Sequence, residues 1–126
     1  PRRLADAARS AQVGSRPAPA LVDDRGATDV TVPPGGVIEL GLDGPVVPEL
    51  LTLTCGDDPA TVASPWAIES ADDGHGLARI EAAVFRWPCQ TRPFRLAATA
   101  PVTRLVLRNL GGPAVLRQVE VLAPTR

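Results

Sequence analysis

The chain has no lysine, no tyrosine and no methionine, one histidine, two cysteines and an aromatic share of only 3% across 126 residues. With so few rings, the core has to be built from Val, Leu, Ile and Ala. No stretch approaches the roughly 18 consecutive apolar residues that a membrane-spanning helix needs, so a span within this segment is excluded. All thirteen basic residues are arginines, and the formal charge is −1. The arginines are scattered, at Arg25, Arg79, Arg86, Arg95, Arg104, Arg108 and Arg117 among others. Neither a phosphate backbone nor an anionic bilayer would find a basic face to bind, and nucleic acid is excluded as a partner.

Catalytic patterns are also missing. Ser10, Ser15, Ser64 and Ser70 all lack a Gly-x-Ser-x-Gly setting. The only histidine, His75, lies in "ADDGHG" beside Asp72 and Asp73. That grouping evokes a metal or acid–base site, but three nearly adjacent turn residues diverge into water, so it reads as a solvated hairpin tip. The remaining acids fall in separate turns, such as Asp57 and Asp58 in "CGDDPA", with no shared cleft for a glycosidase pair. The expectation is a non-enzyme.

Cys55 and Cys89 have no CxxC spacing and only one histidine to join them. The pair is open to a metal or redox reading and to a disulfide, and the disulfide is the expectation taken. Closing a loop of about 35 residues would contribute about 4 kcal/mol in the chain-entropy picture. It would also imply an oxidising, extracytoplasmic compartment.

What is present is punctuation. Eleven glycines and fourteen prolines divide the chain into short apolar runs. "VIELGL" (Val37 to Leu42) and "ELLTLTC" (Glu49 to Cys55) alternate with period two, as strands do. "WAIES" (Trp66 to Ser70), "LARIEAAVF" (Leu77 to Phe85), "PFRLAATA" (Pro93 to Ala100), "VTRLVLRNL" (Val102 to Leu110) and "PAVLRQVEVLA" (Pro113 to Ala123) continue the series. Leu105 and Leu107 are expected to face inward, with Arg104 and Arg108 in water. About seven short strands with turns every eight to twelve residues predict an all-β antiparallel sandwich. "RRLADAARSAQ" (Arg2 to Gln12) fits either a short helix or an extended lead-in. Length predicts one domain over 1–126, with 1–19 as lead-in and 20–126 as sandwich. A start at Pro1, without Met or a signal peptide, suggests a piece of a longer protein.

The order of these pieces resembles the discoidin, or coagulation factor 5/8 type C, modules of the galactose-binding-like superfamily. Such modules open with a segment of the form L-V-D-G-D-x-x-T-x-W, matched here at Leu21, Val22, Asp23 and Thr28. "VIELGL" is similar to their first long strand, and "WAIESADDG" to their f-x-v-x-x-S-x-D-G hairpin. "TRPFRLAATA" resembles their a-R-y-v-R-L strand, and "LRNLGGPAVLRQVEVL" their closing strands. Asp24 stands where the family has glycine, Arg25 where it has a second Asp, and Val30 where it has Trp.

The resemblance implies a jelly-roll β-sandwich and a carbohydrate-binding module working for a larger, glycan-active protein outside the cytoplasm. It also implies a structural calcium ion held by Asp23, Thr28 and Glu120 with backbone carbonyls; Arg25 bridging Asp23 and Asp24 without metal is the alternative. For a glycan, an aromatic face with polar groups around it is needed. Trp87 in "FRWPCQTR" is the expected platform, with Arg86, Gln90 and Arg92 beside it. Trp66, Phe85 and Phe94 are expected in the core. The expected partners are a polysaccharide and the parent protein's other domains, and GC-rich codon usage points to actinobacterial cell-wall polymers. The competing expectation is a structural or interaction domain with no ligand of its own.

Overall fold

The computed structural model describes residues 3–62 and 64–125, leaving Arg2 of the predicted lead-in outside the described residues. Eleven strands, numbered in chain order, form among them: β1 (Leu4–Asp6), β2 (Ala8–Val13), β3 (Arg16–Pro17), β4 (Val30–Val32), β5 (Val37–Val46), β6 (Leu50–Cys55), β7 (Trp66–Ser70), β8 (Gly76–Ile80), β9 (Thr91–Arg95), β10 (Val102–Asn109) and β11 (Ala114–Pro124). Two 3-10 turns, Pro19–Val22 and Pro59–Val62, complete the elements. One sheet runs β1-β11-β6-β9, with β4 also on β11; the other runs β3-β2-β5-β10-β7-β8. Every pairing is antiparallel. The predicted all-β sandwich is what the chain forms.

The inner faces meet in an aliphatic core. Ile38, Leu40, Leu51, Leu53, Ile68, Leu105, Leu107, Leu116, Val119 and Val121 are fully buried, and Trp66 is the one large ring sealed among them. Leu105 and Leu107 point inward and Arg104 and Arg108 outward, as their alternation requires. On the outer face those arginines pair with acids of neighbouring strands, Arg104 with Glu39 and Arg108 with Glu69.

The first residues depart from the expected lead-in. Ala8–Val13 is an inner strand of the six-stranded sheet, between β3 and β5. A register shift between Ala8 and Ser10 interrupts its ladder. That bulge puts Ala8 and Ala11 both on the buried side, three residues apart, a helical spacing produced by a strand defect. "LARIEAAVF" is also shorter as a strand than predicted. Beyond Ile80 the chain leaves the sheet and buries Ala83 and Phe85 as an irregular segment.

Register decides which loops share a rim. Asn109 faces Trp66, Arg108 faces Val37, Ala114 faces Val32, Leu116 faces Cys55, and Thr54 faces Thr91. Segments 33–36, 56–62, 81–90 and 110–113 therefore gather at one end of the sandwich. Asn109 fastens that end from inside. Its fully buried amide donates to the carbonyls of Val32 (3.2 Å), Pro33 (3.2 Å) and Gly112 (2.8 Å) and accepts from Gly111 N–H (3.0 Å).

Candidate ligand-binding rim and acidic cluster

Trp87 stands on this rim, 56% exposed. Its loop is closely fixed. Gln90 N–H donates to the Trp87 carbonyl at 3.3 Å, closing a turn, and Gln90 Oε1 accepts from Arg86 N–H at 2.7 Å. Cys55 N–H donates to Gln90 O at 3.0 Å, and Cys89 N–H to Gly56 O at 2.9 Å, which ties the turn to the end of β6. Arg92 lies 5.4 Å from the Phe94 ring centroid and donates to the Val84 carbonyl at 2.6 Å. Of the four residues expected to bind ligand, Gln90 and Arg92 thus shape the loop, while Trp87 and Arg86 are exposed. Trp66 and Phe85 are core, and Phe94 is half-buried against it.

Next to the turn lies a polar cluster that no local spacing in the sequence announced. Arg117, on β11, donates through Nε to Asp29 at 2.7 Å and lies 3.2 Å through Nη2 from Asp57. Its side chain is 17% exposed. Its Nη1 is 3.3 Å from the Cys89 sulfur. The hydrogen bond donated to Asp29 holds the guanidinium's pKa above its ordinary value; partial burial opposes this, and the neighbouring Asp57 and Asp29 carboxylates and the Cys89 sulfur add to it. Asp29, Asp57 and Arg117 come from three separate segments, so only the fold assembles them.

The expected disulfide is corrected here. Cys55 and Cys89 are both free. Their backbones are neighbours, yet the Cys55 thiol is buried and 3.4 Å from the Trp87 carbonyl. Cys89, in a left-handed conformation at φ 58°, exposes its sulfur toward Arg117 and Asp57. The inference of an oxidising compartment loses its support with the bond.

The acids of the opening loop are also arranged differently from the expected set. Asp23 Oδ1 accepts from Arg25 N–H at 2.9 Å, a local turn that shapes the backbone. Thr28 is exposed on the stretch that follows. Glu120 meets Asp6 and Asp24, the three carboxylates offering oxygens within 4.8 Å of one another. Asp6 Oδ1 accepts from Ala8 and Val121 N–H, both at 3.0 Å, and Glu120 Oε1 from Thr52 Oγ1 at 3.0 Å. A hard cation takes oxygens of this kind, and Asp23 and Thr28 are not among the three residues gathered here. His75 remains an exposed hairpin residue, its N–H bonded to Asp73 Oδ1 at 2.9 Å.

No protein-family model and no curated protein matches the sequence. Solved structures do match in three dimensions. The Clostridium perfringens module CpGH89CBM32-5, in complex with GalNAc-β-1,3-galactose, is 16% identical with a TM-score of 0.68, over 88% of this chain and 92% of that one. An F5/8 type C domain from Bacteroides fragilis is 11% identical with a TM-score of 0.68, over 85% and 80%. The lectin domain of Lectinolysin, complexed with Lewis B antigen, is 15% identical with a TM-score of 0.69, over 90% and 91%. The fold is the galactose-binding-like β-sandwich. The order of weak motif matches along the sequence pointed to the same architecture.

Proposed function

We propose that this galactose-binding-like module is a non-catalytic glycan binder that grips a polysaccharide at the rim around Trp87 on behalf of a larger extracytoplasmic protein. The observation that carries the reading is the exposure of Trp87 on a turn fixed at both ends by hydrogen bonds. A chain with two tryptophans puts one wholly in its core and the other in water. An exposed indole offers a large, rigid apolar face with a polar N–H at its edge. The apolar face of a pyranose ring suits such a surface, and fixed polar groups select among hydroxyl patterns. Arg117, Asp29 and Asp57 are held beside the turn, and Arg86 is exposed within it. Sugar complexes among the structural neighbours support the ligand class.

Affinity electrophoresis tests this reading. The module is run through gels containing galactose-rich, arabinose-rich and uronic-acid polysaccharides, alongside Trp87→Ala. Retardation by at least one polysaccharide, lost in Trp87→Ala without a change in melting midpoint, supports it. Unretarded migration in every gel would favour the structural or interaction domain.

A further inference from the structure

Most charge on the rim is answered within the protein; beside Trp87 it is not. Arg117 holds Asp29 at 2.7 Å and Asp57 at 3.2 Å. Glu81 is held by Arg79 at 2.7 Å, and Asp58 turns back onto Ala60 N–H at 3.0 Å. Among the described residues, the Arg86 side chain has neither a hydrogen bond nor an ion pair, and Arg92 has no carboxylate within ion-pair reach. Arg92 donates through Nη1 alone, to the Val84 carbonyl, and rests over the Phe94 ring. Its Nε and Nη2 are left without an acceptor among the described residues.

Local geometry puts these groups on one surface. From Ala82 to Arg86 burial alternates, with Ala83 and Phe85 inside and Ala82, Val84 and Arg86 in solvent. An extended backbone thus sends Val84 and Arg86 to the same side. Arg92 reaches this segment from β9 and is tied to it at residue 84, and Trp87 follows Arg86 directly. Gln90 turns its amide oxygen to Arg86 N–H, so its Nε2 is a further donor with no acceptor among the described residues. Beside an exposed indole and an exposed valine, the polar groups on offer are therefore donors, two of them charged.

We propose, resting on Trp87 as the platform, that the sugar it takes is a uronate, whose carboxylate is met by Arg86 and Arg92. A guanidinium fork matches a planar carboxylate through two parallel hydrogen bonds. In a uronate the carboxylate stands at the edge of the pyranose ring. The apolar face can then lie on the indole while the carboxylate projects sideways to the arginines. A neutral sugar would leave two like charges on the patch unanswered, and its hydroxyls give weaker hydrogen bonds than a carboxylate does.

The test uses affinity electrophoresis in matched pairs. Polygalacturonate, alginate and a glucuronan are each run beside their carboxyl-reduced, neutral forms, with dextran sulfate as a polyanion that has no carboxylate. At least one uronan should retard the module, and its reduced form should do so about tenfold less or not at all. Arg86→Gln and Arg92→Gln should each weaken retention on that uronan by about tenfold or more, and Arg86→Lys should recover only part of the loss. Arg92→Gln also removes the donor to Val84, so melting is followed; if that variant is destabilised, Arg86→Gln, which has no side-chain partner to lose, decides alone. Retention by the reduced forms equal to or above that by the uronans, still lost in Trp87→Ala, would overturn the uronate and leave the platform standing. Retention by dextran sulfate as strong as by any uronan, or uronan retention unchanged in Arg86→Gln, would overturn it as well. Unretarded migration in every gel would remove platform and uronate together.

Discussion

Arg117 Nη1 lies 3.3 Å from the sulfur of Cys89, on the solvent side of the rim, while Cys55 one strand away is sealed in the core. The two thiols therefore differ in accessibility. A thiol-specific colorimetric reagent should modify one cysteine per folded chain, absent in Cys89→Ser, and two after denaturation. Finding no reactive thiol in either state would mean that the cysteines are bonded to each other.

The rim's internal fastening predicts a large effect from a polar residue. Asn109→Ala takes the side-chain partner from the Val32 carbonyl and from Gly111 N–H, whereas Pro33 O keeps Gly36 N–H at 2.8 Å and Gly112 O keeps Ser64 Oγ at 3.0 Å. Buried carbonyls deprived of a partner cost about 1–3 kcal/mol. Denaturant unfolding of Asn109→Ala should show a loss of that order.

Core and outer face should respond very differently. Leu53→Ala removes a fully buried side chain from between the sheets and should cost about 2–5 kcal/mol. Arg108→Gln breaks the 2.6 Å pair with Glu69, but the arginine side chain is 51% exposed. Such pairs are screened by solvent, and the loss should stay below about 1 kcal/mol. Urea midpoints of the two variants check both.

How much of this was legible in the sequence depended on the distance over which each feature is specified. Alternation in "VTRLVLRNL" is local, and it placed Leu105 and Leu107 inward correctly because strand sidedness needs only a period of two. The lead-in stayed open between helix and extended strand for an equally physical reason. The bulge between Ala8 and Ser10 mimics a helical period, and alanine carries no β-branched signal to contradict it. The exposed position of Trp87 was foreseeable from its Pro-flanked turn. Arg117, Asp29 and Asp57 were not, since they meet only when β11 is laid beside the loops at the rim. Asp6 was missed likewise: its side chain bonds Val121, 115 residues away, and no local pattern marks a strand that pairs with the far end of the chain.

The two tryptophans give the most direct measurement. A nitrogen–proton correlation spectrum of the labelled module should contain two indole signals, Trp66 from the sealed core and Trp87 from the rim. Trp87→Phe identifies which is which. Titrating in the polysaccharide that most retards the module should move or broaden the Trp87 indole signal in a saturable way and leave that of Trp66 in place. A polysaccharide that binds while the Trp87 signal stays unmoved would contradict the account.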